Sequence, residues 1–260
     1  MTERTDTDWN PGAYHRFRGY RLQPALDLLG RVGGLPEGDV IDLGCGAGNV
    51  ARALRARFAD HGLVGVDTSD TMLAEARALN LYDRLEHQEI ADWTAQAPVA
   101  LTFANAALHW VGDHPALLPR LAGMLAPGGM LAVQMPHQNN APSHRVWRSL
   151  ADEMFPGRVD PDTGPSVLRP VDYHRLLSPL GHLELWETEY YQILPANMQS
   201  HPVRCYTETT FARPILAALD SDEQARLIAA YEGVMDKPYP RGSDGTVLFP
   251  FKRLFFTLTV

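Results

Sequence analysis

Val40-Ile41-Asp42-Leu43-Gly44-Cys45-Gly46-Ala47-Gly48-Asn49 is an apolar run that breaks into three alternating glycines. It reads as a buried strand entering a tight turn that opens a helix, because Val and Ile suit a pleated strand and glycine reaches backbone conformations closed to other residues. Such glycines let the backbone approach a ligand, and the amino terminus of the helix favours an anionic group. A dinucleotide-binding loop reads G-x-G-x-x-G, but the sixth position from Gly44 is Asn49, so that pattern fails. What is present is Asp-x-Gly-x-Gly-x-Gly, in which Cys45 reads as a packed thiol.

Outward from this turn, short apolar runs alternate with helical patterns from about residue 39 to 135, the mark of βαβ units and a mostly parallel sheet covered on both faces. Strands are expected over 39–43, 63–66, 85–90, 99–103 and 130–134. Helical stripes fall at Val50, Ala53, Leu54 and Phe58, at Met72, Leu73 and Ala76, and at Leu117, Leu118, Leu121, Met124 and Leu125. The segment Ala126-Pro127-Gly128-Gly129 reads as a helix stop and a tight turn. Upstream, Tyr14, Phe17, Arg21, Ala25, Leu28 and Val32 share one helical stripe, which Pro24 is expected to break or kink. After Pro136 the composition turns polar and rich in Pro, Gly and Asp, with helices expected near 142–155 and 221–235 and β-like alternation near 182–192 and 246–260.

These patterns predict an α/β, Rossmann-like, doubly wound sheet with a helical cap. The expected division is an N-terminal helical lid over 1–36, a core over 37–136, a cap over 137–240 and a returning strand over 241–260. The chain has 260 residues and a formal net charge of −8, and lysine stands only at Lys237 and Lys252. That balance argues against binding nucleic acid or an anionic membrane by bulk charge and leaves a local cationic pocket allowed. Cys45 and Cys205 are far apart and in no ligand spacing, so neither a disulfide framework nor a metal site is expected. No apolar run approaches the ~18 residues of a membrane span, and a cytoplasmic location is expected. The sequence leaves the oligomeric state open.

Acids recur at the expected strand ends. Gly65-Val66-Asp67-Thr68-Ser69 puts Asp67 where it could accept from two vicinal hydroxyls, and Glu89-Ile90-Ala91-Asp92-Trp93 offers Asp92 for an amino group beside an aromatic wall. The spacing thus groups Asp42, Asp67 and Asp92 in one crevice. The loop resembles motif I of class I S-adenosylmethionine-dependent methyltransferases, and Leu101 to Trp110 resembles their fourth motif. The resemblance implies S-adenosyl-L-methionine as cofactor, S-adenosyl-L-homocysteine as product, and Asp42, Gly44, Cys45, Gly46, Gly48, Asp67, Thr68, Met72, Asp92, Trp93, Asn105 and Arg21 as its contacts.

A closer resemblance covers nearly the whole chain. Asp8-Trp9-Asn10-Pro11, Phe103 to Trp110, Leu125 to Gly129, Leu131 to Pro136, Trp186-Glu187-Thr188, Tyr190-Tyr191 and Val247 to Phe251 are similar to the trans-aconitate 2-methyltransferase family. This implies esterification of a carboxylate of a small polycarboxylic acid. A carboxylate is already ionised at neutral pH and needs no general base, whereas its binding calls for cations and donors. Expected contacts are Tyr14, Arg21, His109, Trp110, Tyr190, Tyr191, Arg213, Arg241, Lys252 and Arg253. The chain departs from the family pattern at Gln23, at His109, where the family carries Gln, and over Cys205 to Thr210. His109 is therefore either a pocket donor or a base for methylating a hydroxyl or amine. A cofactor-binding enzyme with chemistry other than methyl transfer is the further alternative.

Overall fold

The computed structural model describes residues 18–160 and 164–260, with side chains from residue 22 onward. Tyr14, Phe17 and Asp8 to Pro11 lie outside the described residues, as does the side chain of Arg21. The chain forms two compact units. The first comprises residues 1–135, 168–186 and 254–260, and the second comprises 136–167 and 187–253.

The first unit opens with α1 (Arg18–Leu29), which continues through Pro24 rather than ending there; Ala25, Leu28 and Leu29 are buried. Five strands follow: β1 (Val40–Leu43), β2 (Leu63–Asp67), β3 (Arg84–His87), β4 (Val99–Asn105) and β5 (Leu125–Pro136). They pair in parallel, with Asp42 opposite Gly65 on one side and Phe103 on the other. Strands β1, β2 and β4 are buried along their length up to the carboxyl end because helices cover a parallel sheet on both faces. Between them run α2 (Ala51–Arg57), α3 (Asp70–Ala78), capped by the Ser69 side chain, and α4 (His114–Ala122).

The segment 126–129 belongs to β5 rather than to a helix stop. Val99 pairs with Leu125 and Leu101 with Met130, so four residues are extruded from the ladder, and Gly128 takes φ +81°. The end of the chain satisfies the extruded backbone: Gly128 N–H donates to the Val260 carbonyl at 2.8 Å, and Val260 N–H donates to Gly129 at 3.2 Å.

Beyond β5 come α5 (Pro142–Met154), α6 (Pro170–Leu177), β6 (His182–Leu194), α7 (Pro202–Glu208), α8 (Arg213–Ala217), α9 (Ser221–Met235) and β7 (Val247–Thr259). The seven strands follow the order β3-β2-β1-β4-β5-β7-β6. Residues 168–186 cluster with the first unit, not with the expected cap, because Tyr173 is buried against Phe256 and Trp186 stacks on Phe255. Residues 241–253 in turn cluster with the second unit. There Trp147 stacks on Tyr231 with centroids 3.9 Å apart, and its indole N–H donates to Thr207.

Candidate active site

The cavity of the first unit, about 350 Å³, opens where β1, β2 and β4 end. In an open α/β sheet this carboxyl end is where ligands bind. Asp42, Gly44, Cys45, Gly46, Asp67, Thr68, Met72, Asn105 and Trp110, all predicted from sequence, line it.

The glycine loop is fixed by the end of β2. Gly44 and Cys45 N–H both donate to the Val66 carbonyl, at 2.8 and 3.0 Å, and Gly46 N–H donates to Asp67 Oδ2 at 2.8 Å. The other Asp67 oxygen accepts from Ser69 N–H at 3.0 Å, which leaves each oxygen a further lone pair for a ligand. Gly44 sits at φ +77°, and a Cβ there would lie 2.3 Å from that of Ala107, so the loop and the turn after β4 meet only because residue 44 has no side chain. Gly48 is buried and faces away from the cavity, against Leu79 and Tyr82.

Asp42 is 2% exposed and accepts a 2.6 Å hydrogen bond from the Tyr82 hydroxyl. Burial pushes its carboxyl up to about 7 from 3.8, with the Tyr82 bond opposing and repulsion from Asp67 adding to the rise. Burial, with Asp42 and Asp67 adding to it, drives the Cys45 thiol well above its ordinary range, so it is a packed thiol and not a thiolate. Asn105 Oδ1 lines the cavity buried and without a hydrogen-bond partner, an acceptor awaiting a donor.

Three expectations are corrected. Strand β3 ends at His87 rather than at residue 90, and residues 89–93 form a helical turn closed by Trp93 N–H donating to the Glu89 carbonyl at 2.9 Å. That turn brings Glu89 and Ile90 to the cavity and leaves Asp92 exposed, away from it. Trp93 faces the interior, its indole donating to Glu86 at 2.8 Å. Arg120 of α4 holds the turn by donating to the carbonyls of Ile90 at 3.0 Å, Ala91 at 2.7 Å and Trp93.

His109 lies in the short turn Leu108–Trp110, buried, with its ring 4.7 Å from that of Trp110, and it does not line the cavity. His114, unremarked in sequence, anchors this turn. Its Nε2–H donates to the Leu108 carbonyl at 2.8 Å while Nδ1 accepts from the Tyr173 hydroxyl at 2.6 Å. Burial holds its pKa below the ordinary histidine range, in keeping with this neutral tautomer.

In the second unit Arg253 is buried with its guanidinium 4.5 Å from the Phe251 ring centroid, Arg213 is half-buried, and Lys252 lies 4.0 Å from Glu187. Tyr190 is half-buried. Two expected contacts are on the surface: Tyr191, 62% exposed, donates to Glu189, and Arg241 pairs with Asp236 at 3.4 Å. Edge strand β6 turns Tyr191 outward, and the Asp236 pair occupies Arg241. Among the described residues no cluster of His, Cys, Asp and Glu could hold a metal ion, and no helix is long and apolar enough to cross a membrane.

A methyltransferase-domain family model matches residues 14–183. Solved structures show the same fold. A solved structure of a Bacillus halodurans protein aligns with TM-score 0.58 and 14% identity over 91% of this chain and 98% of its own. Haemonchus contortus phosphoethanolamine N-methyltransferase 2 aligns with TM-score 0.54 and 17% identity over 95% of this chain and 56% of its own. The strand order, the cavity at the strand ends and the matched domain define a methyltransferase of the Rossmann-like class I fold. Trans-aconitate 2-methyltransferases are similar along the full length: that of Pseudomonas aeruginosa strain UCBPP-PA14 is 36% identical over 100% of this chain and 98% of its own, and that of Methylobacterium nodulans is 39% identical over 95% and 96%. The chain belongs to the trans-aconitate 2-methyltransferase family.

Proposed function

We propose that the chain methylates a carboxylate of a small polycarboxylic acid of the trans-aconitate type, with S-adenosylmethionine as donor. The carrying observation is the cavity at the ends of β1, β2 and β4, in a chain similar to trans-aconitate 2-methyltransferases over its whole length. The donor set suits this cofactor. Asp67 has lone pairs free for a ribose diol, Asn105 Oδ1 awaits a donor, Glu89 and Ile90 offer a carboxylate and an apolar wall for adenine, and the glycine loop admits close approach of the methionine end. When bound, the cofactor supplies a methyl group whose S–CH3 bond breaks as an O–CH3 bond forms, the electron pair staying on sulfur as S-adenosylhomocysteine leaves.

The chain has no proton to move, because a carboxylate is ionised at neutral pH. Its task is to bind, orient and exclude water. A base role for His109 finds no support in its burial outside the cavity lining; its packing on Trp110, which does line the cavity, supports a shaping role. Of the expected substrate cations we retain Arg253, which is buried, and Arg213, which is half-buried, since a guanidinium suits bidentate recognition of a carboxylate.

The test is purified protein with S-adenosylmethionine and a panel of trans-aconitate, cis-aconitate, citrate and isopropylmalate, following S-adenosylhomocysteine and ester mass together. A monomethyl ester of trans-aconitate supports the reading. S-adenosylhomocysteine with ester from another acid moves the substrate, and no product from any acid overturns it.

A further inference from the structure

We propose that Tyr82 is a positioning residue of the cofactor site, its hydroxyl holding the buried Asp42 carboxylate and its ring bracing the glycine loop in the shape that binds S-adenosylmethionine. The inference rests on the cofactor reading above and names a residue that lies outside the cavity lining.

Tyr82 stands just before β3, forty residues from Asp42 in sequence. Its hydroxyl donates to Asp42 Oδ2 at 2.6 Å. One edge of its ring lies so close to Gly48 that a Cβ there would be 3.2 Å from the ring, and the other so close to Gly65 of β2 that a Cβ there would be 2.9 Å away. A Cβ on Gly65 would also come within 3.0 Å of Cys45 Sγ. One phenol thus touches the last acid of β1, the end of the glycine loop and the middle of β2. The amides of Gly44, Cys45 and Gly46 are tied to the end of β2, and Tyr82 is the corresponding tie on the side-chain face of the loop.

The second consequence is electrostatic. The titratable groups facing Asp42 are Tyr82, Asp67 of β2 and Cys45 of the loop, and β4 alongside carries none. Neither Tyr82 nor Cys45 competes as an anion, since burial drives both well above their ordinary ranges. The Tyr82 hydroxyl therefore acts as a fixed donor that favours the charged carboxylate against its desolvation. Asp42 lines the cavity, so the ammonium of a cofactor bound beside it would favour the same charge, and binding near neutral pH would be accompanied by proton release from Asp42.

The experiment is titration calorimetry of S-adenosylhomocysteine into wild type, Tyr82→Phe and Asp42→Asn, over about pH 6 to 8 in phosphate and Tris. In wild type, a buffer-dependent heat reports the proton released. Tyr82→Phe keeps the ring and is expected to weaken binding about tenfold at pH 7 and to move proton release to higher pH. Asp42→Asn keeps an acceptor for Tyr82 and is expected to abolish that release. Wild-type affinity with an unmoved proton profile in Tyr82→Phe overturns the proposal while the cofactor reading stands. Unchanged release in Asp42→Asn also overturns it, even if Tyr82→Phe fails to fold. No binding by wild type overturns both readings together.

Discussion

The Asp67 carboxylate accepts from the Gly46 backbone N–H at 2.8 Å, so the acid expected to hold a ribose also fixes the loop expected to hold the methionine end. One side chain couples the two halves of the proposed cofactor site. Asp67→Ala is therefore expected to weaken S-adenosylhomocysteine binding by ~1.5–3 kcal/mol through lost charge-assisted hydrogen bonds. Asp67→Asn, which keeps one acceptor oxygen, is expected to fall between Ala and wild type. Calorimetry on the three proteins checks the order, and equal affinities would remove Asp67 from the site.

Asp42 gives the ligand-free protein a specific pH response. Its folded pKa is about 7 against 3.8 when unfolded, raised chiefly by burial. A raised folded pKa means that the native state holds the proton more tightly. The stabilisation is full below about pH 4 and is lost as pH rises through about 7. Asp42→Asn removes this loss. The variant is expected to gain melting temperature over wild type at pH 8 and to lose that advantage by pH 4, by an amount on the order of a few kcal/mol. A pH-independent difference in melting temperature would show that Asp42 does not titrate as its burial implies.

His144 of α5 responds in the opposite sense. Burial, with Arg148 nearby, holds its pKa down at about 3 against an ordinary 6.5, and its ring packs 4.2 Å from Phe211. Its Nδ1 lies 3.0 Å from the Ser143 hydroxyl. A depressed histidine contributes stability that is present above about pH 6.5 and is lost as pH falls through that value toward 3. His144→Gln is expected to melt lower than wild type at pH 7.5 and to show a shallower acid decline from about pH 6.5 to 4. Parallel melting curves for the two proteins across that interval would contradict the assignment.

The strand-and-glycine grammar of residues 40–48 was readable because apolar runs, alternating glycines and strand-end acids are local signals, and the described sheet follows them. The third acid was not readable. Whether Asp92 or Glu89 reaches the cavity depends on where β3 ends and on a turn held by Arg120, about thirty residues away in sequence. Tyr82 was invisible for a related reason: a tyrosine before a strand carries no local mark of the buried carboxylate it will meet. Arg241 and Tyr191 show the reverse error. A cation and a hydroxyl in a promising stretch read locally as substrate contacts, yet Asp236 and Glu189 take them at the surface.

His109 discriminates between esterification and base-assisted methyl transfer. A carboxylate nucleophile needs no deprotonation, so kcat at saturating cofactor and substrate, where Asp42 is already ionised, should show no limb near the ordinary histidine pKa of about 6.5. His109→Gln restores the residue type that the resemblance implies here and removes any base. If His109 only shapes the turn that carries Trp110, the variant is expected to keep kcat within about threefold, a loss under 1 kcal/mol in barrier, with an unaltered pH profile. His109→Ala, which leaves a void beside Trp110, is expected to raise KM more than it lowers kcat. A fall in kcat of about a hundredfold or more in His109→Gln, together with loss of a limb near pH 6.5, would assign His109 as a base. The substrate would then be a hydroxyl or amine rather than a carboxylate.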